Sequence, residues 1–159
     1  MIRMMMHDNR TGDQRFKEMM QDFVNTYRGK AATTEDFKAM VEKHMTQEMD
    51  LDGNHRMEWF FNEYVYGTQL PSYQMNATFA TGPDGNVVMA VKMTQSNVND
   101  SFRMLVPIYL ELTNGMFFLG RARLTGNSTF DQKIPLTGLK ETPKRAVISY
   151  YDDVLASPN

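Results

Sequence analysis

Apolar positions along the chain follow two rhythms, and the change-over falls near residue 71. Before it the spacing is helical. Phe16, Met20, Phe23 and Tyr27 step by four, three and four, which stacks them on one helix face. Thr11 with Gln14 predicts a capping box for this helix, and Gly29 a left-handed stop. Thr33-Thr34-Glu35-Asp36 predicts a second start, with a capping hydroxyl and acids in the first turn; its stripe is Phe37, Met40, Val41 and His44/Met45. A third helix is predicted from about Asn54 to Tyr66, with Met57, Phe60, Phe61, Tyr64 and Val65 inward, Gly67 at its end and Pro71 beyond. Ile2–Met6 is apolar on every side, the pattern of a helix that is covered all round.

After residue 71 the period is two. Tyr73, Met75, Ala77 and Phe79 share a face, Gly82-Pro83-Asp84-Gly85 makes a turn, and Val87, Met89, Val91 and Met93 follow. A polar loop leads to Phe102, Met104, Val106, Ile108 and Leu110. Asn114-Gly115 predicts a tight hairpin, after which Met116, Phe118, Gly120, Ala122 and Leu124 continue. Phe130, Gln132 and Ile134 form a weaker strand, and Arg145–Tyr151 a last one. Pro107 requires an edge or a bulge. Six or seven short strands at this spacing predict an antiparallel, immunoglobulin-like β-sandwich. The predicted fold class is therefore α+β: about three helices over residues 1–70, then a sandwich over 71–159.

Composition sharpens the division. All three histidines and the single tryptophan precede Pro71, the first of six prolines, and ten of fifteen methionines lie in the first 57 residues. With 42% apolar and 23% charged residues the chain has the balance of a globular protein rather than a disordered one. The net charge of −2 supplies no basic surface for a phosphate backbone, so nucleic acid is not an expected partner. No apolar run is long enough for a membrane-spanning helix. The absence of cysteine excludes disulfides, thiolate metal sites and cysteine nucleophiles.

Candidate chemistry is sparse. His7, His44 and His55 have no metal-ligand spacing among them, and His44 on an apolar helix face reads as a packed side chain. Asp50-Leu51-Asp52-Gly53-Asn54 begins like a calcium loop, but the position of the bidentate acid falls on Phe61, which favours a solvated loop capping the third helix. No nucleophile elbow and no glycine-rich phosphate loop is present. Arg121 and Arg123 share a strand face with Phe117 and Leu119 in line; this is a small ligand patch or, on the favoured reading, a solvated face or domain interface. Asn9, Asn76, Asn99 and Asn127 open N-x-[ST] triplets, at a frequency that chance explains. Among the strand aromatics, only Tyr109 and Phe117 are predicted to face outward. No catalytic, cofactor-binding or metal-ligating residue is assigned.

Several stretches resemble the aminopeptidase-N (membrane alanyl aminopeptidase) family of gluzincin zinc metallopeptidases. Ala32–Phe37 resembles the A-T-T-E-D-F that opens a late helix of that family's catalytic domain. Met57–Tyr64 with Gly67, Leu70 and Pro71 resembles its F-F-x-x-W and G-x-P exit, with Tyr64 where tryptophan is usual. Ile2-Arg3-Met4 resembles its V-I-R-M helix, and Thr94-Gln95, Leu105–Ile108 and Ala146–Leu155 its sandwich strands.

The resemblance implies a non-catalytic C-terminal portion: the end of the helical catalytic subdomain followed by the sandwich. The H-E-x-x-H helix, the distal glutamate, the G-x-M-E-N motif and the tyrosine that stabilises the tetrahedral intermediate would all lie upstream, so zinc is implied for the parent and not for these residues. The expected partner is that upstream domain of the same polypeptide. Exposure of Ile2, Met4, Met5, Met6 and parts of Phe16–Tyr27 would also favour self-association through residues 1–28. The alternative is a stand-alone sandwich module that binds peptide or carbohydrate.

Overall fold

A computed structural model describes residues 1–139 and 141–157. The chain divides into two compact units, Met1–Thr68 and Gln69–Asn159; Asn159, the predicted end of the sandwich segment, lies outside the described residues. Four helices come first and six antiparallel strands follow, an α+β order.

The first unit contains α1 (Ile2–Met6), α2 (Gln14–Tyr27), α3 (Thr34–His44), a 3-10 turn (Gln47–Met49) and α4 (Glu58–Tyr64). Thr33 caps α3 as predicted: its hydroxyl accepts the Asp36 amide at 3.2 Å, and the Asp36 carboxylate accepts the Thr33 amide at 2.9 Å. The α2 cap differs from the prediction. Thr11 donates its hydroxyl to Asp8 at 2.5 Å, and α2 starts at Asp13 with no side-chain cap. The Asp13 carboxylate is spent elsewhere, on Arg3 Nη1 and His7 Nδ1, each 2.8 Å away.

Aromatic rings join the helices. Phe23 packs on Tyr27 at 5.0 Å and edge-on to Phe37 at 5.3 Å, and Phe37 continues to Phe61 at 6.5 Å. The predicted α2 stripe is only half-buried; Met19, beside it, is the residue that is fully covered. Met4, Met5 and Met6 are also buried, which corrects the expected exposed patch at the start of the chain. The third helix is shorter than predicted. His55 adopts φ +55° and α4 begins only at Glu58, so Asn54–Arg56 belong to the preceding loop and Val65 is exposed. Trp59, Phe60 and Phe61 are buried, and the indole of Trp59 donates to the Met49 carbonyl at 3.0 Å. A Cβ on Gly67 would stand 2.5 Å from the Glu63 carbonyl oxygen, so only glycine lets the chain leave α4 this closely.

The second unit holds two three-stranded sheets. β1 (Ser72–Thr81), β2 (Val87–Ser96) and β5 (Ser128–Pro135) form one, in the order β1-β2-β5. β3 (Arg103–Leu112), β4 (Gly115–Thr125) and β6 (Arg145–Ile148) form the other, in the order β4-β3-β6. The alternation of β2 holds from Val87 to Gln95, with Val87, Met89, Val91, Met93 and Gln95 buried. The buried amide of Gln95 is satisfied on both sides: it accepts from Tyr73 Oη at 2.9 Å and donates to the Gly126 carbonyl at 2.8 Å.

Strand β3 is central and is buried on both faces from Met104 to Leu110. Pro107 fits there for two reasons. β6 pairs only with Ile108–Glu111, so its ladder stops short of the proline, and the β3–β4 register shifts between Ile108 and Tyr109. Ile108 faces Gly120 and Tyr109 faces Phe118, which leaves Leu119 with no opposite residue. The shift reverses the faces of β4. Met116 and Phe118 are parted from Ala122 and Leu124, and Phe118 rather than Phe117 aligns with Arg121 and Arg123. The hairpin loop is Thr113-Asn114, with Gly115 already paired to Leu112 at φ +121°. β6 ends at Ile148, short of the predicted Tyr151, because Ser149 turns into the left-handed region at φ +50°.

Thr33→Ala removes the hydroxyl half of the α3 cap and leaves the Thr33 amide on the Asp36 carboxylate. It is expected to lower the stability of the first unit by about 1 kcal/mol, read by urea unfolding of Trp59 fluorescence, while Thr33→Ser restores most of the loss.

Candidate functional site

Each histidine lies beside an aspartate. His7 meets Asp13 at 2.8 Å, His44 Nε2 meets Asp22 at 2.8 Å, and His55 meets Asp50 at 3.4 Å. Arg3 shares Asp13 and Lys43 shares Asp22, so these carboxylates tie α1 to α2 and α2 to α3. Burial pushes the Asp13 carboxyl up, but hydrogen bonds from His7 and Arg3 outweigh it and leave the pKa below the ordinary value. Hydrogen bonds from Lys43 and then His44 lower Asp22. Among the described residues, no group of three histidine, aspartate or glutamate side chains stands close enough to hold a metal. The Asp50 carboxylate closes its own loop by accepting the Asn54 and His55 amides at 3.0 and 3.1 Å; it does not cap α4, whose Met57 amide goes to Glu42 instead.

The N-x-[ST] asparagines are scattered. Asn76 is exposed in the middle of β1, Asn99 accepts from Ser101, and Asn127 binds both backbone groups of Val98.

The most organised surface follows from the register shift in β3–β4. Tyr109, predicted to face outward, is buried, and its ring packs on Phe118 at 5.6 Å. The guanidinium of Arg121 stands 4.7 Å over the Phe118 ring, a cation–π contact. The Tyr109 hydroxyl donates to the buried Asp153 carboxylate at 2.5 Å. Asp153 is thereby anchored against the sheet, and the chain between Ile148 and Asp153 must turn sharply.

It does so through two non-glycine residues at positive φ, Ser149 at +50° and Asp152 at +54°. Each costs on the order of 1 kcal/mol. The turn is closed by the Asp152 amide on the Ser149 carbonyl at 3.0 Å and by the Val154 amide on Ser149 Oγ at 3.0 Å. At its tip Tyr150 is 48% and Tyr151 56% exposed, their rings edge to face at 4.8 Å. Both rings also touch Tyr109, at 6.2 and 5.6 Å.

Tyr150 lines a groove of about 280 Å³ together with Leu112, Met116, Glu111, Lys144 and Arg145. Arg145 Nε donates to Glu111 at 2.5 Å and holds the Glu111 carboxyl below its ordinary pKa. Thr113 is tied to Glu141. This constellation brings ring faces, hydrogen-bond donors and hydrogen-bond acceptors together on one surface. The sequence pattern pointed to the arginines of this sheet; it missed Tyr150, Tyr151 and Asp153. The one signal was the Tyr-Tyr-Asp-Asp run at the end of a strand, where polar aromatics meet residues that tolerate left-handed backbone.

Among the described residues, no helix is long and apolar enough to cross a membrane. No family model matches the chain, and no curated protein matches it.

Two outcomes are expected. Lowered carboxylates bind protons less readily in the folded state, so the stability contributed by Asp13 and Asp22 is complete above the unfolded pKa of about 3.9 and fades as the pH falls below it. Acid unfolding followed at Trp59 should therefore steepen below about pH 4, and Asp13→Asn with Asp22→Asn should flatten it. In the second unit Asp152→Gly should leave stability unchanged or raise it by up to ~1 kcal/mol, whereas Asp152→Val should lower it by about 1 kcal/mol or more; thermal melting of near-ultraviolet tyrosine dichroism separates the two.

Proposed function

We propose that this chain is the non-catalytic C-terminal portion of an aminopeptidase-N-like zinc metallopeptidase, a hydrolase of N-terminal peptide bonds. It packs beneath an upstream active-site domain of the same polypeptide and supports it. The observation that carries this reading is the break between a helical unit ending at Thr68 and a strand-built unit starting at Gln69, beside the 70/71 junction that the family motifs imply. Two motif segments also have the structural roles such a support needs. Thr33–Asp36 forms the start of a helix, and Trp59-Phe60-Phe61 lies buried in the helical unit. Zinc and the hydrolytic groups belong upstream on this reading, and no step of the reaction uses a residue described here.

The two sheets are proposed to stack as an immunoglobulin-like sandwich. The support is a cavity of about 220 Å³ to which β1 gives Tyr73, β3 Val106 and β6 Ile148, together with the Gln95 bridge from β2 to the turn between β4 and β5.

A second reading, in which the strand-built unit is a binding module in its own right, is favoured by the strained turn that holds Tyr150 and Tyr151 in solvent.

The first reading is tested on the gene and on the protein. The DNA upstream of the Met1 codon is expected to continue in frame to an H-E-x-x-H segment; a stop codon there overturns the proposal. The purified chain is expected to hold no stoichiometric zinc by elemental analysis and to leave aminoacyl-anilides intact; turnover by the chain alone also overturns it.

A further inference from the structure

We propose that the groove beside Tyr150 is a binding subsite for one ring of a neutral saccharide. The inference rests on the second reading above and holds whether or not the chain is part of a peptidase.

Four features lead to it. The first is preorganisation: a turn with two strained residues, pinned through Asp153 to a buried tyrosine, keeps Tyr150 exposed. Exposed aromatic rings would lower their free energy by folding down onto apolar surface, and this turn prevents that. The second is size. A volume of about 280 Å³ lies just under the ~300–1,000 Å³ of sites for drug-sized ligands, which suits a single ring.

The third is charge balance. Lys144 and Arg145 stand against Glu111 in the groove lining, with Glu141 next along through Thr113. The local charges cancel, so neither an anionic nor a cationic ligand is favoured, while ammonium, guanidinium and carboxylate together offer both donors and acceptors. A polyhydroxylated neutral ring uses both kinds on its edge and presents C–H bonds on its face, the part that lies against Tyr150 and Met116.

The fourth feature turns against a peptide. Tyr150 and Tyr151 touch edge to face, so no slot opens between the rings for a proline. β6 has only four residues and is followed at once by the left-handed Ser149, which gives an added strand almost no edge to pair with.

The test uses the full chain and named probes: cello-, malto-, manno- and chito-hexaose on an array, beside a library of extended and proline-rich peptides. At least one neutral hexaose is expected to bind, and calorimetry with that sugar gives its Kd. Because the ligand is uncharged, raising sodium chloride about tenfold should change that Kd by less than about twofold. Tyr150→Ala should weaken binding by about tenfold or more, and Tyr150→Phe by less than about threefold, since the ring face carries the contact. Should Tyr150→Ala fail to fold, amide shift perturbation in the parent decides: changes centred on Tyr150, Met116 and Lys144 support the subsite, and changes centred elsewhere overturn it. Equal binding by Tyr150→Ala overturns it, as does a strong salt dependence. Capture of peptides with no sugar bound overturns the saccharide assignment and leaves the binding-module reading standing. Silence of both panels removes both.

Discussion

One buried hydrogen bond, from the Tyr109 hydroxyl to the Asp153 carboxylate, organises the exposed end of the strand-built unit. A carboxylate this far from water needs a partner, and a short charge-assisted hydrogen bond is the strongest available from a neutral donor. Tyr109 is in position to give it because it lies opposite Val147 of β6, the strand that leads into the turn. The register shift between β3 and β4 pairs Tyr109 with Phe118, and the cation over Phe118 braces the same ring cluster. From the anchored Asp153 the chain reaches back to Ile148 in four intervening residues, and two of these take the left-handed region. The turn that carries Tyr150 and Tyr151 is thus pinned to the neighbouring strand β3. Strain, anchor and exposed rings form one device, not three separate features.

The elements themselves were largely legible. The i, i+3, i+4 stripes located three of the helices, the Thr33 cap was read correctly, and period-two alternation located all six strands. What failed was competition among local options. The Thr11 hydroxyl donates to Asp8 instead of accepting the Gln14 amide, while Asp13 gives its carboxylate to Arg3 and His7; a cap is a preference, and a nearby carboxylate, cation or histidine displaces it. The loop from Asn54 to Arg56 was read as helix because its residues carry no strong breaker, yet the Asp50 carboxylate gathers the amides of Asn54 and His55 and holds them out of a helical ladder. Pro107 signalled an edge or a bulge, but which residue of the opposite strand would bulge was not legible. Period-two alternation survives on both sides of Leu119, and only the opposite strand reveals that one residue has no partner. That single uncounted residue moved the expected arginine patch from Phe117 to Phe118, while Tyr109 is covered because β3 is buried on both faces.

The three histidines illustrate the same point in the helical unit. Each one beside an aspartate resembles half of a catalytic pair, but Asp13 and Asp22 also hold Arg3 and Lys43 and link neighbouring helices, while Asp50 closes its own loop. The helical unit therefore reads as packing, in which ring contacts from Phe23 through Phe37 to Phe61 and charge pairs between α1, α2 and α3 serve one purpose.

The two proposed roles, support and recognition, make different demands on a surface, and different parts of the strand-built unit suit each. Support asks for buried, well-satisfied polar groups, which the Gln95 bridge supplies between Tyr73 and Gly126. Recognition asks for rings and paired charges held in water at an energetic cost, which the turn after β6 supplies. A turn whose only task was to leave the strand could place glycine at positions 149 and 152 and bury its aromatics. Here Ser149 repays part of its backbone strain by accepting the Val154 amide, whereas Asp152 has no such hydrogen bond among those described and Tyr150 gains little by remaining in solvent. The residue whose strain is least compensated adjoins the rings that are most exposed, and that coincidence is what scaffolding alone leaves without a physical cause.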